Sequence, residues 1–175
     1  MFHDALVSFA ERRAIFMKPI LHIIRDFLLG CSCGLIYFAV EICYRGYSHW
    51  SMFVLAMFCG VFCIDHINNY MSFDLDFRVQ VMISTGLCTL SEGLCGLYVN
   101  IYKGWNVWDY SNLPLTFFFG QCNVFFVFAW IVLCIIGIFY CDAMNYYAFK
   151  IDPCPYYKVG GKVFLKFPER KQKGV

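Results

Sequence analysis

Three acidic side chains stand within or beside long apolar runs, where a carboxylate could bind a cation or carry a proton. They are Glu41, Asp65 and Glu92. An ionised carboxylate at the centre of a bilayer costs about 2.5 to 3.5 kcal/mol on insertion scales, so such a group needs a partner, a proton or water. Glu92 stands deepest in its apolar run and is the first candidate for an intramembrane transport group.

Glu92 belongs to a stripe of small and polar side chains on one face of a predicted helix. The stripe follows i, i+4, i+7, i+11 and i+15 spacing, and its members are Thr85, Thr89, Glu92, Gly96 and Asn100. Small and polar residues on one helix face favour close packing against another helix. The stripe therefore indicates either a polar path through the membrane or a set of groups that only lock helices together.

Other polar groups could complete a site around the carboxylates. A pairing of Glu92 with Glu41 is the first arrangement to test. Asp65 lies at the opposite end of the predicted bundle from Glu41, so the three carboxylates cannot all meet in one site. The further side chains that could join Glu92 and Glu41 are Arg45, Asn100 and Gln121.

A metal site is the less favoured interpretation of Asp65, His66 and Asn69, although their side-chain atoms can ligate divalent ions. Side chains at adjacent positions such as 65 and 66 diverge on a helix, and no second carboxylate and histidine pair supports them. We therefore expect no metal and no cofactor.

Covalent and nucleotide chemistry find no support in the motifs. The 11 cysteines include no C-x-x-C pair, and most stand in apolar runs, where cysteine acts as a small apolar residue. The sequence contains no P-loop, no H-E-x-x-H and no G-x-S-x-G segment. We predict that the chain is not an enzyme and that any ATPase driving it would be a separate protein.

The composition is that of a membrane protein. Of the 175 residues, 61% are hydrophobic and only 15% are charged, and the net charge of +2 is too small to indicate nucleic-acid binding. About 20 residues cross the hydrocarbon core as a helix. In the first predicted span, Gly30 and Gly34 would permit close approach of another helix. The four predicted spans are 27–44, 50–69, 79–102 and 117–141.

We predict an all-α, polytopic membrane protein, a four-transmembrane-helix bundle with an N-terminal amphipathic helix and a basic C-terminal tail. Gly160 and Gly161 either turn a small hairpin in that tail or interrupt an extended segment on the membrane surface. The predicted parts are an interfacial segment at 1–26, a transmembrane domain at 27–147 and a tail at 148–175.

Lysine and arginine placement predicts the orientation. The segment before the first span and the tail are rich in these residues, whereas the first and third loops contain only Arg45 and Lys103. The positive-inside rule then places both termini in the cytoplasm of a multi-pass protein of the cell membrane.

The third loop, 103–114, is the predicted outer loop and is dense in aromatic and polar residues. Aromatic rings favour the headgroup level of a membrane, and Gly104 and Pro114 favour turns. We interpret the loop as a folded cap over the helix ends rather than a ligand site. The candidate residues on this side are Arg45, Trp105, Asp109 and Tyr110.

Four runs combine polar and aromatic residues in a distinctive order: EICYRGYSHWSMF at 41–53, CGVFCIDHIN at 59–68, TLSEGLCGLYVN at 89–100 and GWNVWDYSNLP at 104–114. With Gly120 and Gln121, these runs resemble the CmpB-like family of small bacterial membrane proteins, which carries the label ABC-transporter type IV. The resemblance covers about residues 28–147 and implies a transporter subunit. It marks as family-type positions Glu41, Arg45, Gly46, His49, Trp50, Asp65, Glu92, Asn100, Trp105, Asp109, Tyr110 and Gln121.

Two functional hypotheses follow. In the first, the protein is a transporter permease-like subunit in which Glu41 and Glu92 line a polar path, and a homo-oligomer or partner membrane protein completes the pore. In the second, it is a non-catalytic structural or interaction protein that binds a partner protein or anionic lipid. The first is favoured because an intramembrane acid is by default a functional-site hypothesis. A water-filled cavity at Glu92 would support transport, whereas a dry, bonded contact would support packing.

Overall fold

The computed structural model describes residues 19–170, so most of the predicted N-terminal amphipathic helix lies outside the described residues. Within that range, four helices are long and apolar enough to cross a membrane. This confirms a mainly helical protein with four candidate spans. The helices are α1 (Pro19–Arg45), α2 (Trp50–Tyr70), α3 (Phe77–Tyr102) and α4 (Val124–Phe149).

Two short antiparallel hairpins accompany the helices. Strands β1 (Thr116–Phe117) and β2 (Cys122–Asn123) lie between α3 and α4, and β3 (Tyr156–Val159) and β4 (Lys162–Lys166) follow α4. The interfacial segment predicted up to residue 26 and the first span share one continuous helix from Pro19 onward.

Local capping decides where two of the helices begin. The Asp76 side chain accepts a hydrogen bond from the Arg78 amide and starts α3, and the Asn123 side chain does the same for the Phe125 amide at the start of α4. The predicted start of the fourth span at residue 117 is wrong. Phe118 and Phe119 have positive φ angles of 54° and 56°, so the apolar run opens with a turn of the β1–β2 hairpin instead of a helix.

Helices α2, α3 and α4 each contain a π-helical segment, at Cys59–His66, Leu97–Tyr102 and Met144–Phe149. A π segment adds a residue to the helical turn and changes which side chains point inward. In α2 this segment carries Cys59, Cys63 and Asp65 to the interior of the bundle.

Small residues allow the helices to approach closely. A Cβ atom added to Gly34 would lie 2.8 Å from the ring of Phe53, and one added to Gly30 would lie 3.1 Å from Val61. The close approach predicted for this glycine pair therefore occurs between α1 and α2. Similarly, α4 reaches α2 at Gly137, against Ile64.

Side-chain contacts define two ends of the bundle. The Arg25 side chain, near the start of α1, contacts Asp65 in α2 and Asn145 in α4. On the same side, the backbone of Asp76 before α3 forms an isolated β-bridge with Lys158 in β3. The two ends of the described chain thus share one side, which we call the tail end. The opposite side, with residues 46–49 and 103–123, is the loop end.

The basic tail folds back onto the bundle through residue 170. Gly160 and Gly161 have φ angles of 58° and 79° and form the two-residue turn of the β3–β4 hairpin. Tyr157 in β3 is fully buried against Phe77 and Phe139. Of the two predicted alternatives, the hairpin is correct and the extended tail is wrong for the described part.

Candidate functional site

At the tail end, both carboxylate oxygens of Asp65 are occupied, one by a charged partner and the other by an amide. The Arg25 guanidinium lies 2.6 Å from one Asp65 oxygen, and the Asn145 amide donates to the other at 2.7 Å. Arg25 also donates to the side-chain amide oxygen of Asn145 at 2.8 Å and pairs with Asp26 at 2.6 Å. Asp65 is 1% exposed. The group is a buried ion-pair network that ties α1, α2 and α4 together.

A second carboxylate at the tail end, Asp142, holds the hairpin. It accepts a hydrogen bond from the Asn68 amide at 3.0 Å and from the Tyr157 hydroxyl at 2.7 Å. Burial and the nearby Asp142 charge raise the pKa of Tyr157 well above its usual range. The hydroxyl therefore remains a donor, and it fixes β3 to α2 and α4.

The metal-like grouping at this end differs from the one considered in the sequence. Potential ligand atoms of Asp26, Asp65 and His66 lie within 4.8 Å of one another, so Asp26 joins two of the residues considered in the sequence. His66 lies 3.1 Å from Asp26. Because Arg25 already contacts both carboxylates, a guanidinium supplies the positive charge that a metal ion would bring.

Glu92 is enclosed where α3, α4 and the third loop meet. It is 4% exposed, and its two oxygens accept hydrogen bonds from the Trp130 indole at 2.8 Å and from the Tyr110 hydroxyl at 3.2 Å. Tyr37 of α1 stacks on Trp130. Burial and the Glu92 charge raise the pKa of Tyr110 above its usual range. Glu92 is therefore buried and bonded through both oxygens, an arrangement that favours a packing role.

Glu41 does not join Glu92. It pairs with Arg45 at 2.7 Å, one helical turn away, and accepts a hydrogen bond from the Ser48 hydroxyl. Arg45 also donates to the Val107 carbonyl oxygen at 3.2 Å. The predicted pairing of the two glutamates therefore does not form, because each has nearer donors.

Two amides connect the end of α3 to the loop end. The Asn100 amide donates to Gln121 at 2.7 Å, and the Asn100 oxygen accepts from the Val107 backbone amide at 2.7 Å. Trp108 donates to the Gln121 carbonyl oxygen at 3.0 Å. Gly96 makes room, because a Cβ there would lie 2.6 Å from the Gln121 side-chain oxygen. These bonds bring together Asn100 and Gln121 of the predicted site, but not with either glutamate.

The aromatic loop is folded against the helix ends. Trp105 lies 5.4 Å from Trp50 and 5.5 Å from His49, ring centre to ring centre. Asp109 is exposed and accepts two hydrogen bonds from Ser111, which lower the pKa of its carboxyl group. Asp109 thus shapes a turn, and Trp105 contributes to an aromatic cluster.

Toward the tail end from Glu92, three hydroxyls on α3 are buried without a hydrogen-bond partner among the described residues. They are Ser84, Thr85 and Thr89. Two of these residues belong to the predicted stripe, which is therefore bonded at Glu92 and Asn100 and unbonded at Thr85 and Thr89.

Three residues that pair with the candidate carboxylates, and one cluster of cysteines, were not predicted from the sequence. Arg25 counts only as a charge before the first predicted span, Trp130 stands in a run that reads as apolar, and Asn145 lies beyond the predicted end of the fourth span at residue 141. Each of these residues is far along the chain from the carboxylate that it contacts, so spacing within one segment could not reveal the contact. Four cysteines that the sequence analysis treats as small apolar residues lie close together inside the bundle, namely Cys59, Cys63, Cys88 and Cys134. The i, i+4 spacing of the first two was the available signal.

The bundle also has an apolar cleft of about 120 Å³ between α1, α2 and α4. Cys33 and Tyr37 line it from α1, Cys59 and Gly60 from α2, and Trp130 from α4. Its lining is almost wholly apolar, so it does not provide a water-filled path to the carboxylates.

The fold and the buried polar groups define a helical bundle compatible with a multi-pass membrane protein. No protein-family model, curated protein or solved structure with which the chain was compared matches it. The resemblance to the CmpB-like family stays a prediction.

Proposed function

We propose that the protein is a non-catalytic membrane interaction protein, a four-helix scaffold that binds anionic lipid headgroups at its tail end. The main support for a non-catalytic interaction protein is that Glu92 is enclosed and fully bonded. Its oxygens are occupied by Trp130 and Tyr110, and the cleft between the helices is apolar. A carboxylate held in this way connects α3, α4 and the third loop without facing a polar path.

The β3–β4 hairpin supplies the proposed lipid-binding surface. All five residues of β4, KVFLK, are exposed, with Val163, Phe164 and Leu165 between two lysines. Apolar side chains flanked by lysines favour the boundary between acyl chains and anionic headgroups. Lysines near an anionic surface contribute about 1 kcal/mol each. In this proposal the tail end faces the cytoplasm, in agreement with the positive-inside rule.

The test is the thermal stability of the full chain in mild detergent with added lipid. Phosphatidylglycerol should raise the unfolding temperature more than phosphatidylcholine does, because the anionic headgroup binds the folded state and not the unfolded one. The double variant Lys162→Gln, Lys166→Gln should lose most of that difference. Lys103→Gln, at the loop end, is the matched control and should keep it. An equal shift with both lipids, or no loss in the double variant, would overturn the lipid proposal and leave a partner protein as the binding class.

A transporter permease-like subunit is the second candidate. It is supported by the unpartnered hydroxyls Ser84, Thr85 and Thr89 on the same helix as Glu92, which could accept an ion or water in another state. It would need a second copy or a partner membrane protein, and a separate ATPase if nucleotide drives it. Glu92→Gln would then change proton or ion flux in reconstituted vesicles at unchanged assembly, whereas unchanged flux argues against it.

A further inference from the structure

Four thiols converge in the interior of the bundle from three helices. Cys59 and Cys63 stand on successive turns of α2, Cys88 comes from α3 and Cys134 from α4. The sulfur atoms of the first three all lie within 4.8 Å of one another, and the Cys134 sulfur lies 3.9 Å from that of Cys88. All four are free thiols and at most 5% exposed.

These separations match the spacing of a thiolate metal site. A tetrahedral ion with metal–sulfur bonds of about 2.3 Å sets its sulfurs about 3.8 Å apart, and a trigonal one about 4.0 Å apart. The observed sulfur atoms need to move by about 1 Å or less to reach that geometry. The Ser91 hydroxyl lies 3.5 Å from the Cys63 sulfur and donates its proton to the Leu87 carbonyl oxygen at 2.8 Å, so it is a polar neighbour of the cluster.

The surroundings select the charge of the ion. Thiolate ligands favour the soft ions, chiefly Cu(I) and Zn(II), and a metal-bound cysteine is a thiolate because binding displaces the thiol proton. Zn(II) in a structural site takes four ligands, so four thiolates around it would bury two negative charges. The arginines and lysines of the described residues lie at helix ends, in loops or in the β3–β4 hairpin. Cu(I) held by two thiolates buries one negative charge, which is less unfavourable in an apolar interior.

We propose that Cys59, Cys63 and Cys88 form a binding site for a monovalent soft metal ion, Cu(I), with Cys134 as an additional sulfur ligand. Binding one Cu(I) through two of these sulfurs as thiolates releases two protons to the solvent and changes no oxidation state. Cys59 also lines the apolar cleft between α1, α2 and α4, so the cleft connects the lateral surface of the bundle to the sulfur cluster. This site is independent of the lipid-binding surface.

The experiment loads the full chain in mild detergent with Cu(I) under reducing, anaerobic conditions and then dialyses it against a Cu(I) chelator. We expect one copper retained per chain, an X-ray absorption spectrum with sulfur neighbours only, and thiolate-to-copper absorption in the ultraviolet. A wild-type chain that retains no copper, retains Zn(II) in preference, or shows nitrogen or oxygen neighbours would overturn the proposal.

Serine variants identify the ligands. Cys63→Ser and Cys88→Ser should weaken copper retention by more than about 100-fold, since outer-sphere changes alone cost about 10- to 100-fold at metal sites. Cys141→Ser is the matched control, a buried cysteine of α4 outside the cluster, and should retain copper. Equal loss in Cys141→Ser would contradict the assignment. If Cys88→Ser does not assemble, Cys63→Ser, at the edge of the cluster beside Ser91, decides the ligand question.

Discussion

The tail end and the loop end of the bundle each bury a carboxylate, and they stabilise it by different means. Asp65 is held by the Arg25 guanidinium and an asparagine, whereas Glu92 is held by an indole N–H and a phenol hydroxyl. In the first case a formal positive charge is buried with the negative one. In the second, the donors are neutral and reach Glu92 from another helix and from a loop.

Because the partners differ, substitutions at the two carboxylates should affect the stability of the fold differently. An ion pair removed from water is stabilising only while both charges are present, and the loss of one leaves the other uncompensated. A carboxyl group bonded to neutral donors can be replaced by an amide of the same shape at small cost. The Asp65 group should therefore be sensitive to charge, and the Glu92 group to shape and hydrogen bonding.

The largest effect is expected for Arg25→Ala. Removing the guanidinium leaves Asp65 buried without its cation, and breaking a buried pair costs about 3 to 5 kcal/mol. The measurement is the free energy of unfolding in mixed micelles titrated with SDS. Arg78→Ala is the matched control, because the Arg78–Asp76 pair is exposed, and it should change stability by about 1 kcal/mol or less. Similar losses for both variants would contradict the charge-sensitive role of the tail end.

A smaller effect is expected at the loop end. Glu92→Ala leaves the Trp130 N–H and the Tyr110 hydroxyl without their acceptor and should cost about 2 to 4 kcal/mol in the same assay. Glu92→Gln keeps an acceptor for Trp130 and the side-chain shape, so it should lose about 1 kcal/mol or less. If the glutamine variant is as damaged as the alanine variant, the negative charge itself is required, and the contrast between the two ends fails.

The smallest effect is a pH dependence at the hairpin. Hydrogen bonds from Arg78 and the Gly160 amide lower the pKa of Asp76 below its usual range. A lowered pKa in the folded state gives stability that is present above the unfolded value of about 3.9 and is lost as the pH falls through the folded value. The nuclear magnetic resonance shift of the Gly160 amide, 2.8 Å from Asp76, should therefore titrate below about pH 3.9.

The Asp76→Asn variant should abolish that titration, since its side chain carries no proton to gain. Asp109→Asn changes a comparable exposed turn at the loop end and should leave the Gly160 shift unaffected. A transition above about pH 4 in the wild type would contradict the assignment, because it would require a raised pKa.

Several features followed from local sequence alone. The apolar runs predicted four helices, and five of the eight predicted starts and ends lie within two residues of those observed, because length and hydropathy depend only on neighbouring residues. Gly160 and Gly161 indicated a hairpin as one of two alternatives for the same reason, since a two-residue turn with positive φ is a local property. The stripe on α3 was also visible, and its members Glu92, Gly96 and Asn100 are buried.

The tertiary structure alone decided which groups meet. Arg25 and Asn145 are 120 residues apart, and Trp130 reaches Glu92 from a run that reads as purely apolar. The fourth helix began later than predicted because hydropathy cannot distinguish an apolar hairpin from an apolar helix. The four cysteines form a cluster only because three helices pack at that depth. Periodicity places a side chain on a helix face, but only packing determines which other face it contacts.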